Sequence, residues 1–289
     1  MDFATRFPCE IVSCDSQQVY QGLDIGTGKP TSADRERVPH HLIDLVPPTE
    51  NFHAARWATL ARSTIKEIAA RGTLPLVVGG TGLYLRALLS GLFDAPPASA
   101  EIRARHQREA DESGVESLHA RLALVDPDVA ARVMPRDLVR ISRALEVFEQ
   151  TGEKISVLQK RAAAQVDLEP RILILDPPLA ELRARIERRF DAMMAEGLLD
   201  ETQRLRLQFG RDARGLTAIG YKEMGAHLDG VTSLDEAVTL AKNATVAYAR
   251  RQRTWFRKRE HDEWRLATAP SVDALWDWWR RPTVADAGD

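Results

Sequence analysis

Two polar residues stand where apolar runs of the chain end. Asp15 closes the run Glu10–Asp15, and Thr81 follows a pair of glycines after the run Leu74–Val78. The helix-like segment Ala54–Ala70 separates the two runs. Alternating strands and helices indicate a parallel α/β sheet, whose ligands bind at the carboxyl ends of the strands. We therefore expect a carboxylate and a hydroxyl at the ligand-binding edge of one sheet.

The residue types at this edge allow more than one role. A carboxylate such as Asp15 can accept a proton, coordinate magnesium or cap a helix. Thr81 can present a hydroxyl and a backbone N–H to an anion, or it can simply cap the helix that follows. Position alone favours the structural role for Asp15, whereas the two roles of Thr81 are compatible with each other.

The segment Gly26–Thr31 invites comparison with a phosphate-binding P-loop, GxxxxGK[ST]. It departs from that pattern twice, because Leu23 stands at the first glycine and Pro30 replaces the magnesium-binding hydroxyl. Proline offers neither a hydroxyl nor an N–H group. We interpret the segment as a turn. Since Met1–Phe7 is typical of the end of a helix, we expect that the first strand and the P-loop of such a fold are missing.

The middle of the chain has a different pattern. Between about residues 101 and 160 it is rich in Arg, Glu, Ala and Leu, with no apparent strand, whereas Arg171–Asp176 returns to a buried strand. We predict an α/β core of residues 1–95 and 166–289 with a helical insertion at 96–165. A long last helix is predicted from about Leu234 to Lys258.

Positive charge is concentrated in one stretch. Lys242–Arg259 contains seven Lys or Arg residues and no Asp or Glu, although the formal net charge of the chain is only −2. A local positive field can attract a polyanion even on an acidic protein. A solvated helix face is the commoner fate of charged residues, but such faces usually mix both signs.

The two cysteines predict a reducing environment. On an extended strand Cys9 and Cys14 would lie about 16 Å apart, well beyond the roughly 7 Å limit for a disulfide. No apolar stretch approaches the ~20 residues needed to cross a bilayer, and the first residues lack the apolar core of a secretory signal. We expect a cytoplasmic monomer without membrane contact.

An ordered series of motifs resembles the tRNA dimethylallyltransferase (IPP transferase) family. The blocks run from about residue 8 to 258 and comprise Asp15–Tyr20, Gly22–Thr27, Lys29–Thr31, Pro39–Asp44, Val78–Tyr84, Arg140–Val147, Gly220–Glu223 and Tyr248–Phe256. The resemblance implies a P-loop NTPase-like parallel sheet with a helical insertion domain. Two departures are the absent P-loop, which in the family holds the diphosphate, and Val246, where the family usually has arginine.

The resemblance also implies an activity. Family members transfer a dimethylallyl group from dimethylallyl diphosphate to the N6 amine of the adenosine adjacent to the anticodon, tRNA position 37, with Mg²⁺ as cofactor. The expected partners are therefore the tRNA anticodon loop and dimethylallyl diphosphate. Two alternatives are an inactive tRNA-binding remnant and prenyl transfer to a free adenine nucleotide. The helical insertion and the basic last helix disfavour the nucleotide, which needs no such surface.

Three residues match the family's catalytic positions. The adenine amine is a poor nucleophile, so its alkylation requires a base, and Asp15 matches the family's catalytic aspartate. Thr81 and Arg189 match groups that stabilise the departing diphosphate. We assign Arg183 and Arg188 to a solvated helix face and keep Arg185 as the second choice for the leaving group.

The remaining matches are expected contacts with tRNA, whose target base must leave the loop's stack. They are Asp15, Ser16, Gln17, Gln18, Thr81, Arg103, Val139, Arg140, Ile141, Ser142, Arg143, Ala218, Gly220, Tyr221, Lys222, Arg250, Arg251, Gln252 and Arg253. Metal ligands stay unassigned, because the P-loop Ser or Thr is absent. We interpret the adjacent histidines His40 and His41 as structural, and the tryptophans Trp276, Trp278 and Trp279 as terminal packing.

Overall fold

The computed structural model describes residues 2–91, 96–163, 168–257, 263–266 and 268–280. Contacts within the chain define two compact units, one of Met1–Leu85 with Glu169–Asp289 and one of Arg86–Leu168. The second unit thus begins at Arg86, whereas the sequence placed the insertion at 96–165. Lys258 and Arg259 of the basic stretch, the linker residues 94 and 95, and the tail after Pro282 lie outside the described residues.

The strands of the first unit form two parallel sheets. They are β1 (Cys9–Cys14), β2 (His40–His41), β3 (Leu74–Gly79), β4 (Ile172–Leu175) and β5 (Glu263–Leu266). The order is β2-β1-β3 in one sheet, and β4 pairs with β5 in the other. Strand β1 is paired along its whole length with β3, from Cys9 opposite Leu74 to Cys14 opposite Gly79. The predicted α/β class with parallel strands is confirmed.

Helices complete the first unit. They are α1 (Asp2–Arg6), α2 (Ser32–Arg37), α3 (Ala54–Ala70), α10 (Leu179–Ala195), α11 (Leu198–Phe209), α12 (Tyr221–Leu228), α13 (Leu234–Arg257) and α14 (Val272–Trp279), with a 3₁₀ turn at Arg214–Thr217. Helix α3 has the predicted bounds, and α13 begins at the predicted Leu234 and is described as far as Arg257. Within the described ranges, no helix is both long and apolar enough to cross a bilayer.

The core of the first unit forms between β1 and α3. Trp57 of α3 is fully buried, and its indole N–H donates to the carbonyl of Ser13 at 3.0 Å. The Trp57 ring stacks on Tyr84 with centroids 4.9 Å apart. A buried indole needs such a polar partner, and the bond fixes α3 across the strand that leads to Asp15.

The terminal segments of the described chain pack on each other. Phe7, just after α1, stacks on Trp276 of α14 with ring centroids 4.0 Å apart and planes inclined by 5°. Phe3 also contacts Trp276, at 6.1 Å. This aromatic contact agrees with the interpretation of Trp276 as terminal packing.

Among its described residues, the second unit contains helices joined by short loops and no strand. After α4 (Gly82–Ser90), which spans the boundary, its helices are α5 (Ala100–Ser113), α6 (Val115–Val125), α7 (Pro127–Ala130), α8 (Leu138–Thr151) and α9 (Ile155–Ala163). Leu118, Leu122, Ile141 and Leu145 form the centre of its core. The amide of Arg140 bonds the N-cap side chain of Asp137, and Gly152 ends α8 in the left-handed conformation at φ 71°.

Lys29, the lysine of the P-loop-like segment, is buried. Its side chain is 2% exposed, and Nζ donates to the Tyr20 carbonyl at 2.6 Å, to Asp24 at 2.9 Å and to Asp44 at 2.5 Å. Arg35 also bonds Asp44, at 2.9 Å. An ammonium with these acceptors ties the turn to the following loop and is not directed at a phosphate, in agreement with the interpretation of this segment as a turn.

The adjacent histidines also bond within the protein. His40 Nδ1 lies 2.7 Å from the Val38 carbonyl, and His41 Nε2 lies 2.7 Å from the carboxylate of Glu10. Each histidine therefore connects β2 to a neighbouring segment.

Replacing Lys29 with methionine should destabilise the protein by about 2 kcal/mol, because two carboxylates and a carbonyl would lose a charged donor. Urea unfolding monitored by circular dichroism measures the change. Lys66→Met, on the exposed face of α3, serves as the control and should change stability by less than about 0.5 kcal/mol. Equal urea concentrations at the midpoint of unfolding for the two variants would contradict a buried structural role for Lys29.

Candidate active site

The carboxylate of Asp15 is fixed directly after β1. Its Oδ1 atom accepts hydrogen bonds from the backbone amides of Gln17 at 2.7 Å and Gln18 at 3.4 Å. Hydrogen bonds donated by backbone amides to the side chain of a preceding aspartate close a turn. The side chain is half-buried, so a ligand at the strand end can still reach it.

The neighbouring thiol is chemically inert. Cys14 is buried, and burial together with the charge of Asp15 raises the pKa of the Cys14 thiol to about 12. Because the thiolate is the reactive form of cysteine, Cys14 stays neutral near physiological pH.

Gly79 brings the end of β3 against the end of β1. A Cβ atom at position 79 would lie 2.3 Å from the carbonyl oxygen of Cys14, and the backbone φ is +155°. This approach allows the amide of Thr81 to donate to that carbonyl at 3.2 Å. Thr81 Oγ1 in turn accepts from the amide of Ser16 at 3.1 Å. Thr81 therefore joins the two turns, and Asp15 and Thr81 share one sheet edge as expected.

Thr81 is also the residue from which α4 begins. Its carbonyl accepts the amide of Leu85 at 3.1 Å, the first bond of the helix. Its hydroxyl bonds the Ser16 amide across the site. The structural and ligand-binding interpretations of Thr81 are thus compatible, because its backbone starts the helix while its hydroxyl faces the Asp15 turn.

The side chain of Gln18 is used within the protein. Its Oε1 accepts from Ser13 Oγ at 2.9 Å, and its Nε2 donates to the carbonyls of Thr27 and Gly28, both at 3.3 Å. The sequence assigned Gln18 to hydrogen bonds with an extruded base. The structure instead gives its amide a bridging role between the strand and the Thr27–Gly28 loop, which leaves Ser16 and Gln17 as the polar side chains of this turn.

Arg189 of α10 reaches the same loop. Its Nη2 donates to the Thr27 carbonyl at 3.3 Å, and a Cβ atom at position 28 would lie only 2.2 Å from this nitrogen. Gly28 has φ +58°, a backbone conformation that favours glycine, and a side chain at this position would displace the Arg189 guanidinium. Arg189 is therefore held beside the loop that Gln18 also contacts.

Two other arginines of α10 have local partners. Arg185 pairs with Glu181 at 2.5 Å and Arg183 pairs with Glu187 at 2.9 Å, both one helical turn apart. Such pairs are typical of a solvated helix face. The structure thus distinguishes Arg189 from Arg185, which the sequence kept as the second choice.

A buried carboxylate binds the backbone of the loop that contains Ile25 and Gly26. Glu201 of α11 is 2% exposed, and its oxygens accept from the amides of Ile25 at 3.0 and 3.1 Å and Gly26 at 3.3 Å. The hydroxyl of Tyr221 donates to Glu201 at 2.5 Å and accepts from the Gly26 amide at 3.1 Å. Burial and the Glu201 charge raise the pKa of Tyr221, which remains a neutral donor.

This arrangement revises the role of Tyr221. The sequence assigned Tyr221 to the tRNA surface. Its side chain is instead 1% exposed and hydrogen-bonds to the Gly26 amide from the protein interior. Its neighbours Ala218 and Gly220 are buried as well, whereas Lys222 is exposed. Glu201 was missed, because an acidic residue within an ordinary amphipathic helix gives no signal of a partner more than 170 residues away in sequence.

Helix α13 packs on the glycine turn between β3 and α4. Gln252 Nε2 donates to the Gly80 carbonyl at 2.9 Å, and a Cβ atom at position 82 would lie 2.5 Å from the Trp255 ring. Tyr248 hydrogen-bonds to the Thr81 side chain. Burial together with the charge of Asp15 raises the pKa of Tyr248. Tyr248 therefore lies beside Thr81, a contact that its place in the Tyr248–Phe256 motif did not indicate.

The basic residues of α13 divide into two groups. Arg253 pairs with the half-buried Asp176 at 2.5 Å and Arg257 approaches the same carboxylate at 3.6 Å, while Lys242 pairs with Asp191 at 2.5 Å. Arg250 and Arg251 are exposed. The acids that pair with Lys242, Arg253 and Arg257 thus come from other elements, and Arg250 and Arg251 add exposed positive charge.

In the helical unit, some of the residues expected to contact tRNA are buried and others are accessible. Ile141 and Ser142 are buried, and Ser142 Oγ lies 2.8 Å from Nδ1 of the buried His106. The sequence assigned both to tRNA contacts, but their side chains face the interior because α8 buries this face. Arg140 and Val139 are 70% and 80% exposed, so their side chains are accessible from solvent.

The acidic residues of the site do not form a metal cage. Within the described ranges, no three His, Cys, Asp or Glu side chains converge to hold an ion. Mg²⁺ is often held by one or two carboxylates together with substrate phosphates. Asp15 fits such a site as a single carboxylate, whereas Asp176 is already paired with arginine.

These features define a parallel α/β protein with a helical insertion and a polar site at the carboxyl ends of β1 and β3. Residues 18–259 match the IPP transferase family, and the chain belongs to it. It is 49% identical over 270 residues to the tRNA dimethylallyltransferase of Anaeromyxobacter dehalogenans (strain 2CP-C), a match that covers 93% of this chain and 89% of the relative. Identity to the tRNA dimethylallyltransferase of Sorangium cellulosum is 44%, with coverage of 88% and 81%.

Solved structures similar to this chain are also those of prenyltransferases that act on tRNA. The tRNA isopentenylpyrophosphate transferase of Bacillus halodurans superposes with a TM-score of 0.67 at 37% identity, covering 96% of this chain and 88% of that protein. A eukaryotic dimethylallyltransferase, whose structure was determined acting on tRNA, gives a TM-score of 0.69 at 28% identity, covering 87% and 64%. The fold expected from the motifs is therefore confirmed.

Replacing Tyr221 with phenylalanine should destabilise the protein by about 1–2 kcal/mol, because it removes one donor to a buried carboxylate. Urea unfolding measures the change. The double variant with Glu201→Gln should lose less than the sum of the two single variants, since both side chains serve the same loop amides. Strictly additive losses would contradict a shared Glu201–Tyr221 support.

Proposed function

We propose that this protein transfers a dimethylallyl group from dimethylallyl diphosphate to the N6 amine of the adenosine next to the anticodon, tRNA position 37. The observation that carries the proposal is the Asp15 carboxylate, fixed by two amides at the carboxyl end of β1 and joined through the Ser16 amide to Thr81. Membership of the IPP transferase family and relatives named tRNA dimethylallyltransferase support the same reaction.

Asp15 is the proposed general base. The lone pair of the adenine amine is delocalised into the ring, so the amine gains nucleophilicity only as it loses a proton. In the reaction, a bond forms between N6 and the terminal carbon of the prenyl group, and the carbon–oxygen bond to the diphosphate breaks. The proton of N6 passes to Asp15, and the bonding electrons leave with the diphosphate oxygen.

Thr81 and Arg189 are the proposed groups for the leaving diphosphate. Negative charge develops on the bridging oxygen as it departs, and fixed donors at that position lower the barrier. The Thr81 oxygen accepts from the Ser16 amide, and its hydroxyl lies 3.5 Å from Ser16 Oγ, a long contact that a bound diphosphate oxygen would replace as the acceptor. Arg189 is held by the Thr27 carbonyl and retains further N–H groups for phosphate.

Accessible basic residues are the proposed contacts with tRNA. On the helical unit they are Arg103 and Arg140, with Arg143 half-buried, and on the α/β unit they are Lys222, Arg250 and Arg251. Such residues bind phosphates and release counterions, which makes binding depend on salt. An extruded adenosine at Asp15 also requires hydrogen-bonding neighbours, for which Ser16 and Gln17 are placed.

Mg²⁺ is proposed as an ion that accompanies the diphosphate and neutralises its charge when bound. Asp15 is its candidate protein ligand, and the reaction steps above do not depend on it. A cytoplasmic location is consistent with a tRNA substrate and with the buried free thiols of Cys9 and Cys14.

Asp15→Asn should lower kcat for prenyl transfer at least about 10²-fold, the ordinary contribution of a general base. Asparagine keeps the oxygen that accepts the Gln17 and Gln18 amides, so the turn and the affinity for tRNA should be retained. Single-turnover transfer of labelled prenyl groups to tRNA measures the effect, and Asp235→Asn, at an exposed position of α13, is the control.

Unchanged turnover in Asp15→Asn would exclude the general-base role. The same assay with AMP as acceptor tests the nucleotide alternative, which faster prenylation of AMP than of tRNA would favour. Binding of tRNA without any transfer by the wild-type chain would favour the inactive remnant.

Arg189→Ala should raise KM for dimethylallyl diphosphate or lower kcat about 10- to 100-fold, as expected for a lost hydrogen bond to a charged group. Steady-state kinetics with saturating tRNA measures both constants. Arg185→Ala is a matched control one helical turn away, and its pairing with Glu181 predicts near wild-type constants. Equal defects in the two variants would contradict the assignment of Arg189.

A further inference from the structure

The carboxylate of Glu146 is fully buried in the helical unit. It lies on α8 and faces the first turn of α5, where Oε1 accepts from the amide of Ser99 at 2.6 Å. Its other oxygen accepts from Arg143 Nη1 at 2.7 Å and from Arg103 Nη2 at 3.3 Å. One buried oxygen therefore holds two guanidinium groups, one from each of two helices.

The charges of Glu146, Arg103 and Arg143 explain why this buried group of residues is stable. An ionised carboxylate in an interior is costly unless charges and hydrogen bonds compensate it. Burial would raise the pKa of Glu146, but hydrogen bonds from Arg143, Ser99 and Arg103 outweigh burial and hold the pKa below its usual range. The amino-terminal end of α5 adds a favourable dipole. Glu146 is thus ionised and binds both arginines.

The two arginines differ in what they leave accessible. Arg143 gives a second N–H to the Pro96 carbonyl at 2.8 Å and is 27% exposed. Arg103 is 52% exposed although one of its nitrogens is held by Glu146. A guanidinium has five N–H groups in a rigid fork. Glu146 therefore fixes one side of the Arg103 fork and leaves the rest in solvent.

We infer that Glu146 is a positioning residue for tRNA recognition, which holds the fork of Arg103, with Arg143 beside it, in the orientation that contacts the RNA backbone. This inference rests on the proposed function. A free arginine side chain loses rotamer freedom when it binds phosphate, and an arginine already oriented by a buried carboxylate loses less. Glu146 acts through the arginines and does not itself touch RNA.

The main test is Glu146→Gln in the full chain, compared with Glu112→Gln at an exposed position of α5. Glutamine keeps an oxygen for the Ser99 amide but lacks the charge that binds the guanidinium groups. KM for tRNA should rise about tenfold, while kcat and KM for dimethylallyl diphosphate change less than about twofold. The salt dependence of tRNA binding should also become shallower by about 0.7, the slope of one single-strand phosphate contact.

A double-mutant cycle separates this role from a structural one. Arg103→Ala should weaken tRNA binding, and adding Glu146→Gln to it should weaken binding much less than in the wild-type background. A purely structural glutamate would lower the melting temperature but leave tRNA affinity and salt slope at wild-type values. That result, with Arg103→Ala still impaired, would overturn the inference while the proposed function stands.

Arg103→Lys provides a second test that leaves Glu146 intact and does not depend on the folding of Glu146→Gln. Lysine keeps the charge but lacks the fork, so tRNA binding should weaken about as much as in Arg103→Ala. Wild-type affinity in Arg103→Lys would overturn the inference, because charge alone would then suffice. Failure of the wild-type chain to bind tRNA would instead refute the proposed function, and the inference with it.

Discussion

The close approach of two strand ends creates the geometry of the site. At the carboxyl ends of β1 and β3 the backbone of Gly79 lies so near the Cys14 carbonyl that no side chain fits between them. Through this approach the Thr81 amide reaches Cys14, and the Thr81 hydroxyl reaches the turn that Asp15 starts. Any residue with a Cβ atom at position 79 would push the two turns apart and separate the carboxylate from the hydroxyl.

Buried charges hold the irregular segments that regular hydrogen bonding cannot hold. Lys29 ties the turn after β1 to the loop containing Asp44, and Glu201 binds the amides of Ile25 and Gly26. Glu146 does the same for the start of α5. Loops expose backbone amides and carbonyls that must find partners, and an ionised side chain satisfies several of them at once. The loop near Arg189 and the first turn of α5 are both organised in this way.

The same principle explains which parts of the site the sequence could predict. The strand ends that carry Asp15 and Thr81, and the helix Ala54–Ala70, follow from local composition and periodicity, which act over a few residues. The roles of Tyr221 and Arg253 depend on partners distant in the chain, and Gln18 bonds an irregular loop nine and ten residues further on. The sequence assigned all three to RNA contacts. Their polar groups are instead bound within the protein. A residue type shows what a side chain can bind but does not show which partner it meets.

The sequence by itself determined the alternation of strands and helices, the helical character of the insertion and, through its ordered motifs, the family. These properties are encoded locally, in periodicity and in short patterns of residue types. Only the tertiary structure decided which arginines have free N–H groups and which are paired, and which motif residues face the interior. Burial and pairing depend on contacts between elements far apart in the chain, as Glu201 with Gly26 and Glu146 with Arg103 demonstrate.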